Sequence, residues 1–238
     1  MNQVARVFLG AFVIVAAAVV VWAVELPDSE VNPVTGNIET VDAPSEEGNK
    51  VRHVVDSGKG SGNSATTIST HASSAPRIAI TTAGDTWVVW WRDTSVDRVY
   101  LTIHDLQEET WSLEKAFSQP AEESRYPEIV QDASAAWIVY QIDTGSGSEI
   151  AGLSIIDSGD PWPTRTIIAS STATGDLDVR IHTEDGHVWT TWVDSTSDVG
   201  WSEHDAVTDS WDLPQYESYS GSDVETARES IRGTVLGP

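Results

Sequence analysis

Residues 76–91 read PRIAITTAGDTWVVWW, and the same pattern returns twice, at 127–140 as PEIVQDASAAWIVY and at 179–192 as VRIHTEDGHVWTTW. In each copy a short apolar run is followed by a polar turn and then by a run that begins with tryptophan. These tryptophans, Trp87, Trp137 and Trp189, are separated by 50 and 52 residues. A fixed period of this length indicates a chain built from structural repeats.

Each repeat divides into four short runs rich in β-branched and aromatic residues, which predict strands. In the first repeat these runs lie at 77–81, 86–92, 98–104 and 111–117. The second run is apolar on both faces, as expected of a strand buried between two layers. Four strands in a repeat of about 50 residues are typical of a β-propeller blade. The predicted fold is therefore all-β, a small β-propeller of four-stranded blades.

Other residues keep the same period. A second tryptophan series comprises Trp111, Trp162 and Trp211, and an aspartate series comprises Asp93, Asp143 and Asp194. The aspartates follow the second run of each repeat, where a carboxylate can accept hydrogen bonds from the backbone of a turn. We predict that they cap these turns.

The end of the repeat carries a resemblance to known blades. His104-Asp105 precedes Trp111 by a short turn, and His204-Asp205 precedes Trp211 in the same way. This arrangement resembles the hairpin between the third and fourth strands of kelch-type blades, and it is similar to the Asp-box hairpin of sialidase-like propellers. The resemblance covers residues 76–217, without the kelch Gly-Gly pair or the full Asp-box order. It implies the propeller class and no specific family, and the matched histidines are expected to pack between blades.

A fourth blade is predicted from the two ends of the chain. Val54-Val55-Asp56-Ser57-Gly58 matches Ile155-Ile156-Asp157-Ser158-Gly159, so residues 51–70 are expected to form a third and a fourth strand. Residues 224–236 are expected to supply the first two strands of this composite blade, which would close the ring and remove exposed sheet edges. The alternative is a C-terminal helix, because Val224, Ala227, Ile231 and Val235 also fall at helical spacing.

The N-terminal region predicts a membrane segment. Residues 7–24 form an unbroken apolar run of 18 residues, with Arg6 before it and acidic residues after it. Its length fits a bilayer core, and the charge order places the N-terminus in the cytoplasm. We therefore predict that residues 1–24 are a transmembrane anchor. A cleaved signal peptide and a pilin-like packing helix are the alternatives. The domain is expected outside the cytoplasm, membrane-anchored, or secreted if the segment is cleaved.

Residues 25–49 contain seven acidic residues, three prolines and two glycines before the first lysine, Lys50. Such a composition is typical of an extended chain that repels itself. We predict an acidic flexible linker at 25–49, which leaves residues 50–238 as the propeller-like domain.

Composition excludes several classes of function. With 37 acidic and 13 basic residues the formal net charge is −24, which disfavours nucleic acid and anionic lipid as partners. The absence of cysteine excludes disulfides, Cys-ligated zinc, iron–sulfur clusters and thiol catalysis. No cofactor is expected. His182 and His187 flank an Asp-Gly turn, which favours a hairpin over a metal site. The acidic, lysine-poor composition is typical of salt-adapted proteins.

One group of charged residues is a candidate ligand-binding site. The first strand of a propeller blade lines the central channel, and matched positions there hold Arg77, Glu128 and Arg180, with Arg228 expected from the composite blade. Guanidinium groups bind carboxylates well, so the cluster predicts an anion site. Sialidase-like propellers use clustered arginines in this way. The alternative is that these residues form ion pairs with one another.

The sequence assigns no catalytic residue and no metal ligand. The function that it favours is a membrane-tethered, extracytoplasmic module that binds or scaffolds a protein, peptide or glycan partner. A glycan-acting enzyme of the sialidase or lyase type is one alternative. A structural subunit of a cell-surface assembly or filament is the other.

Overall fold

A computed structural model describes residues 28–44, 48–57, 63–92, 95–132, 135–155, 165–195, 198–219 and 224–237. The predicted anchor at 1–24 lies outside these residues, as do Asp93 and Trp162. Within the described ranges, no helix combines the length and the apolar character that crossing a membrane would need.

The described residues form four antiparallel sheets that follow one another along the chain. Sheet 1 contains β1 (Asp28–Val31), β2 (Ile38–Asp42), β3 (Arg52–Asp56) and β4 (Ser64–Thr67). Sheet 2 contains β5 (Ser74–Ile80), β6 (Thr86–Arg92), β7 (Arg98–Asp105), β8 (Thr110–Trp111) and β9 (Lys115–Ala116). Sheet 3 contains β10 (Glu123–Gln131), β11 (Ala136–Asp143), β12 (Ser148–Ile155) and β13 (Thr166–Ser171). Sheet 4 contains β14 (Arg180–Glu184), β15 (His187–Ser195), β16 (Asp198–Asp205), β17 (Ser210–Trp211) and β18 (Gln215–Ser218).

The predicted blade architecture is confirmed at the level of these sheets. In every sheet the strands pair in chain order, and in sheets 2 and 4 the outermost position is shared by two short strands. An all-β chain of consecutive four-stranded antiparallel sheets is consistent with a β-propeller.

The sheets pack face to face in chain order through three buried apolar clusters. One buried cluster joins sheets 1 and 2 through Val41, Ile78 and Trp90. A larger one joins sheets 2 and 3 through residues such as Leu101 and Ile138, and a third joins sheets 3 and 4. Burial of these side chains supplies the main favourable free energy of folding.

The strands that form the first blade differ from those predicted. Residues 51–70 do hold its third and fourth strands, but its first two strands lie within 25–49, which the sequence assigned to a flexible linker. The turn between them is closed by Asn32, whose side-chain oxygen accepts hydrogen bonds from the backbone N–H groups of Val34 and Thr35. The prediction of a linker at 25–49 failed because it was based on acidic composition. Several of these carboxylates occupy strand positions, where they have specific hydrogen-bond partners.

The C-terminal segment is helix α1 (Val224–Leu236), so the predicted composite blade is wrong. Ala227, Ile231 and Val235 are buried on the face of sheet 4 that points away from sheet 3, against Trp189 and Trp201. Spacings of four residues place these side chains on one side of a helix, whereas a strand would direct them to both sides of a sheet. Helix α1 therefore covers the last sheet instead of pairing with the first.

Candidate functional site

An unusual backbone feature recurs in the first strands of sheets 2 and 3 and just before the first strand of sheet 4. Ala75, Tyr126 and Asp178 have φ angles of 47°, 51° and 47°, the left-handed region that residues other than glycine rarely adopt. The first two lie in β-bulges, where the register shifts before Arg77 and before Glu128. A bulge redirects the side chains that follow it. A residue with a left-handed backbone therefore stands two positions before each of the predicted site residues Arg77, Glu128 and Arg180.

These side chains and their neighbours form a connected row that we call the charged ladder: Arg77, Glu128, Arg180, Asp178 and Arg228. Arg77 Nε donates to Glu128 Oε1 at 2.9 Å, and Arg180 Nη1 donates to the same oxygen at 2.7 Å. Arg180 Nη2 lies 2.8 Å from Asp178 Oδ1, and Arg228 Nη2 lies 2.9 Å from Asp178 Oδ2. The ladder joins sheets 2, 3 and 4 through alternating charges.

The structure thus brings all four predicted residues together, but Arg228 arrives from a different element. It lies on α1 rather than on a strand, its side chain is 7% exposed, and it also donates to Glu225 at 2.7 Å. The contacts match the predicted alternative of internal ion pairing. An anion site at the ladder stays a prediction.

Glu128 is more enclosed than the two arginines that it binds. Its side chain is 15% exposed, compared with 24% for Arg77 and 40% for Arg180. Burial raises the pKa of the Glu128 carboxyl, and the charges of the two arginines oppose that rise. A carboxyl with a raised pKa is a candidate proton donor.

Two carboxylates of sheet 1 bind the free edge of β5, the first strand of sheet 2. The backbone N–H of Ile78 donates to Asp28 Oδ2, and that of Ile80 donates to Glu30 Oε2, both at 2.9 Å. Burial raises the pKa of Glu30, and the hydrogen bond from Ile80 opposes that rise. These contacts satisfy N–H groups on the free edge of β5, which would otherwise be open to pairing.

A buried polar network between sheets 1 and 2 was not foreseen from the sequence. Glu39 and His53 are each 5% exposed, and His53 Nε2 lies 2.8 Å from Glu39 Oε2. Thr86 donates to the same oxygen at 2.6 Å, and the Asn32 amide donates to Glu39 Oε1 at 2.6 Å. Burial by itself raises the pKa of Glu39, but these hydrogen bonds lower it overall. No local motif marks Glu39, because its partners come from distant strands.

The matched histidines pack between neighbouring sheets, as predicted, and the ring of His104 lies 6.4 Å from that of His53 in sheet 1. The ring of His204 lies 4.4 Å from that of Trp137 and 5.5 Å from that of Trp211, and His104 lies 5.0 Å from Trp111. Of the three predicted turn aspartates, Asp143 caps its turn, Asp194 lies at a register shift within β15, and Asp93 lies outside the described residues. Asp143 accepts from the backbone of Gly145 at 2.7 Å, and Asp105 and Asp205 accept from the backbone of the turns that follow them.

His182 and His187 flank the predicted β14–β15 hairpin and have separate partners. His187 Nδ1 lies 2.6 Å from Glu203 Oε1, whereas the ring of His182 stacks on Trp189 at 5.2 Å. Burial and the charges of Arg228 and Arg180 lower the pKa of His182 to about 4. In the described part of the chain, no group of three or more acidic or histidine side chains is arranged to hold a metal ion.

No family model matches this chain. No curated protein is significantly similar to it either. Among solved structures it is similar to the K499G mutant of NanB sialidase from Streptococcus pneumoniae, at 16% identity and a TM-score of 0.49 over 71% of this chain and 28% of that one. It is also similar to the α-L-arabinofuranosidase PaAbf62A from Podospora anserina, at 12% identity and a TM-score of 0.47 over 79% and 65%. A GH43 endo-arabinanase from Bacillus licheniformis matches at 12% identity, with a TM-score of 0.43 over 83% and 94%. Similarity at this level assigns the chain to no family.

The position of His182 predicts a dependence of stability on pH. Its pKa is lowered to about 4 in the folded protein against 6.5 as the ordinary value, so the unfolded chain binds the proton more readily between these values. Stability is then complete above pH 6.5 and is lost as the pH falls towards 4, by at most about 3 kcal/mol. The charged groups that act on His182 are Arg180, Arg228, Glu225 and Glu229.

Chemical denaturation between pH 7 and 4 measures this effect. His182→Phe keeps a ring against Trp189 and is expected to flatten the profile in that window. His71→Gln, which changes an exposed histidine, serves as the control and should leave the slope unchanged. An unaltered slope in His182→Phe would contradict the assignment.

Proposed function

We propose that this protein is a binding module for a glycan, peptide or protein partner, held at the outer face of a membrane by residues 7–24. The observation that carries the proposal is the charged ladder. Its arginines and carboxylates bind one another and fix the relative positions of three sheets. Such a ladder supports a rigid scaffold that presents its inner edge to a partner.

The accessible part of this edge lies at Arg180 and Asp178, whose side chains are both 40% exposed. Exposed ion pairs contribute little stability and can exchange partners at low cost. We therefore place the partner contact at this end of the ladder, where a carboxylate-bearing ligand would meet Arg180.

The anchor is tested by fractionation of the native full-length protein. We expect it to sediment with membranes, to resist alkaline extraction, and to retain its N-terminal peptide in mass spectrometry. A soluble mature form that begins near Val24 would show that the segment is a cleaved signal peptide.

A glycan-acting enzyme is a second candidate, favoured by one observation. Glu128 is a nearly buried carboxyl with a raised pKa, and two arginines hold it at the inner edge of the sheets. General acid catalysis of glycoside cleavage needs a carboxylic acid of this kind.

A glycan and peptide array that records both capture and product release separates the two candidates. A binding module captures a ligand without product, and Arg180→Ala weakens capture about tenfold. Arg232→Ala, which changes an exposed, ion-paired arginine outside the ladder, should not weaken it. Product release that Glu128→Gln abolishes would establish the enzyme instead. Capture that is equal in both arginine variants would remove the ladder from the site.

A further inference from the structure

The position of β1 sets the distance between the folded domain and the proposed anchor. The apolar run ends at Val24 and β1 begins at Asp28, so only residues 25–27 separate them. Three residues span at most about 10 Å when fully extended. The spacer predicted from composition would have allowed the domain to stand far from the bilayer. With β1 in place, sheet 1 must lie close to the lipid surface.

The outer face of sheet 1 has apolar residues that no described element buries. Val31 and Ile38 are cross-strand partners on this face and are 65% and 48% exposed. Val34, in the turn between their strands, is 57% exposed but lies beside Gly84 of sheet 2, so it does not belong to this outer face. At the other end of the row of sheets, the outer face of sheet 4 is covered by α1, so the two terminal sheets differ.

The charges of sheet 1 are directed away from this face or paired on it. Asp28 and Glu30 bond the backbone of β5, and Glu39 lies in the buried network. On the outer face, Arg52 donates to both oxygens of Asp42, at 3.0 and 2.7 Å. A charge that is paired costs less to bring towards lipid than an isolated one. Asp56, at the end of β3, also lies on this face, as the cross-strand partner of Ile38.

We propose that the outer face of the β1–β2 hairpin, formed by Val31 and Ile38, rests on the surface of the membrane. The proposal rests on the membrane anchor of the proposed function and deepens it by giving the domain a fixed orientation. Its partner is a zwitterionic lipid surface, because the patch is apolar and offers no lysine to anionic headgroups. The apolar side chains enter the interfacial region, and the ladder remains accessible from the aqueous side.

The absence of cysteine makes a single-site probe experiment direct. Ile38→Cys in the full chain is labelled with an environment-sensitive fluorophore and reconstituted into phosphatidylcholine vesicles. Leu213→Cys is the matched control, since Leu213 is an 86% exposed apolar residue near the outer strands of sheet 4. We expect the fluorescence emission of the probe at position 38 to shift to the blue when the vesicles are present. Lipids spin-labelled near the headgroup should quench this probe at least twofold more than the probe at position 213.

Each outcome has a separate meaning. Failure of the protein to float with vesicles removes the anchor, and with it the membrane attachment in the proposed function and the membrane contact proposed here. Flotation with the same quenching at 38 and 213 overturns the membrane contact and leaves the anchor standing. Protection at 38 without lipid quenching, together with a doubled mass in detergent, means that a second copy covers the face and also overturns the proposal.

Discussion

Gly200→Ala is expected to lower the melting temperature by about 10 °C or more, which corresponds to about 3–5 kcal/mol in a domain of this size. Gly200 lies on β16 directly opposite Trp192 of β15. A Cβ atom added there would lie 2.2 Å from Cε2 and 2.4 Å from Nε1 of the Trp192 indole. Contacts this short cannot persist, so the indole must move.

The cost is large because Trp192 has no room to move into. It is fully buried in the cluster between sheets 3 and 4, and its ring meets Tyr216 edge-on at 6.4 Å. A displaced indole leaves unfilled volume on one side and overlap on the other, and both destabilise a packed core.

Gly233→Ala is the control, because no atom lies within 4 Å of the Cβ position at this residue of α1. It is expected to raise stability by about 0.5–1 kcal/mol, since alanine is the better helix former. In a Trp192→Leu background the cost of Gly200→Ala should fall, as expected for coupled neighbours. Equal melting temperatures for Gly200→Ala and the parent would contradict the described packing.

The repeats made the blades predictable for two reasons. A run such as Trp87–Trp91 is apolar on both faces, which marks a buried strand. The strands of each blade also pair with their neighbours in sequence. The first blade was less accessible. In β1 and β2 the inward positions carry Glu30 and Glu39, whose hydrogen-bond partners lie on β5, β3 and β6. In the sequence these carboxylates cannot be distinguished from those of an acidic linker, because their hydrogen-bond donors lie on strands that are distant along the chain.

The sequence identified most residues of the charged ladder, but it did not identify all of the contacts between them. Period matching identified Arg77, Glu128 and Arg180, and each of them stands two positions after a residue with a left-handed backbone. Asp178 was not found, although it bridges two of the arginines. It was missed because Asp178 lies before β14 with a left-handed backbone, so the alternation of a strand does not place its side chain.

Deleting residues 224–238 is expected to leave a protein that aggregates or binds hydrophobic dyes. The deletion uncovers Trp189, Val199 and Trp201, which are 2%, 0% and 8% exposed beneath α1. It also removes Arg228 and leaves Asp178 with one arginine instead of two. The exposed surface is aromatic and lies on a sheet, and such a patch promotes association.

Point substitutions on α1 separate the effect of packing from that of truncation. Ile231 is 1% exposed in the cluster on sheet 4, so Ile231→Ala should cost about 2–5 kcal/mol, measured by chemical denaturation. Arg232→Ala, one residue further on the exposed side of the helix, should leave the denaturation midpoint nearly unchanged. Equal midpoints in the two variants would mean that α1 does not pack on sheet 4. The difference expected here follows from helical spacing, because neighbouring residues lie about 100° apart around the helix axis. Of these two residues, Ile231 points towards the tryptophans and Arg232 points towards solvent.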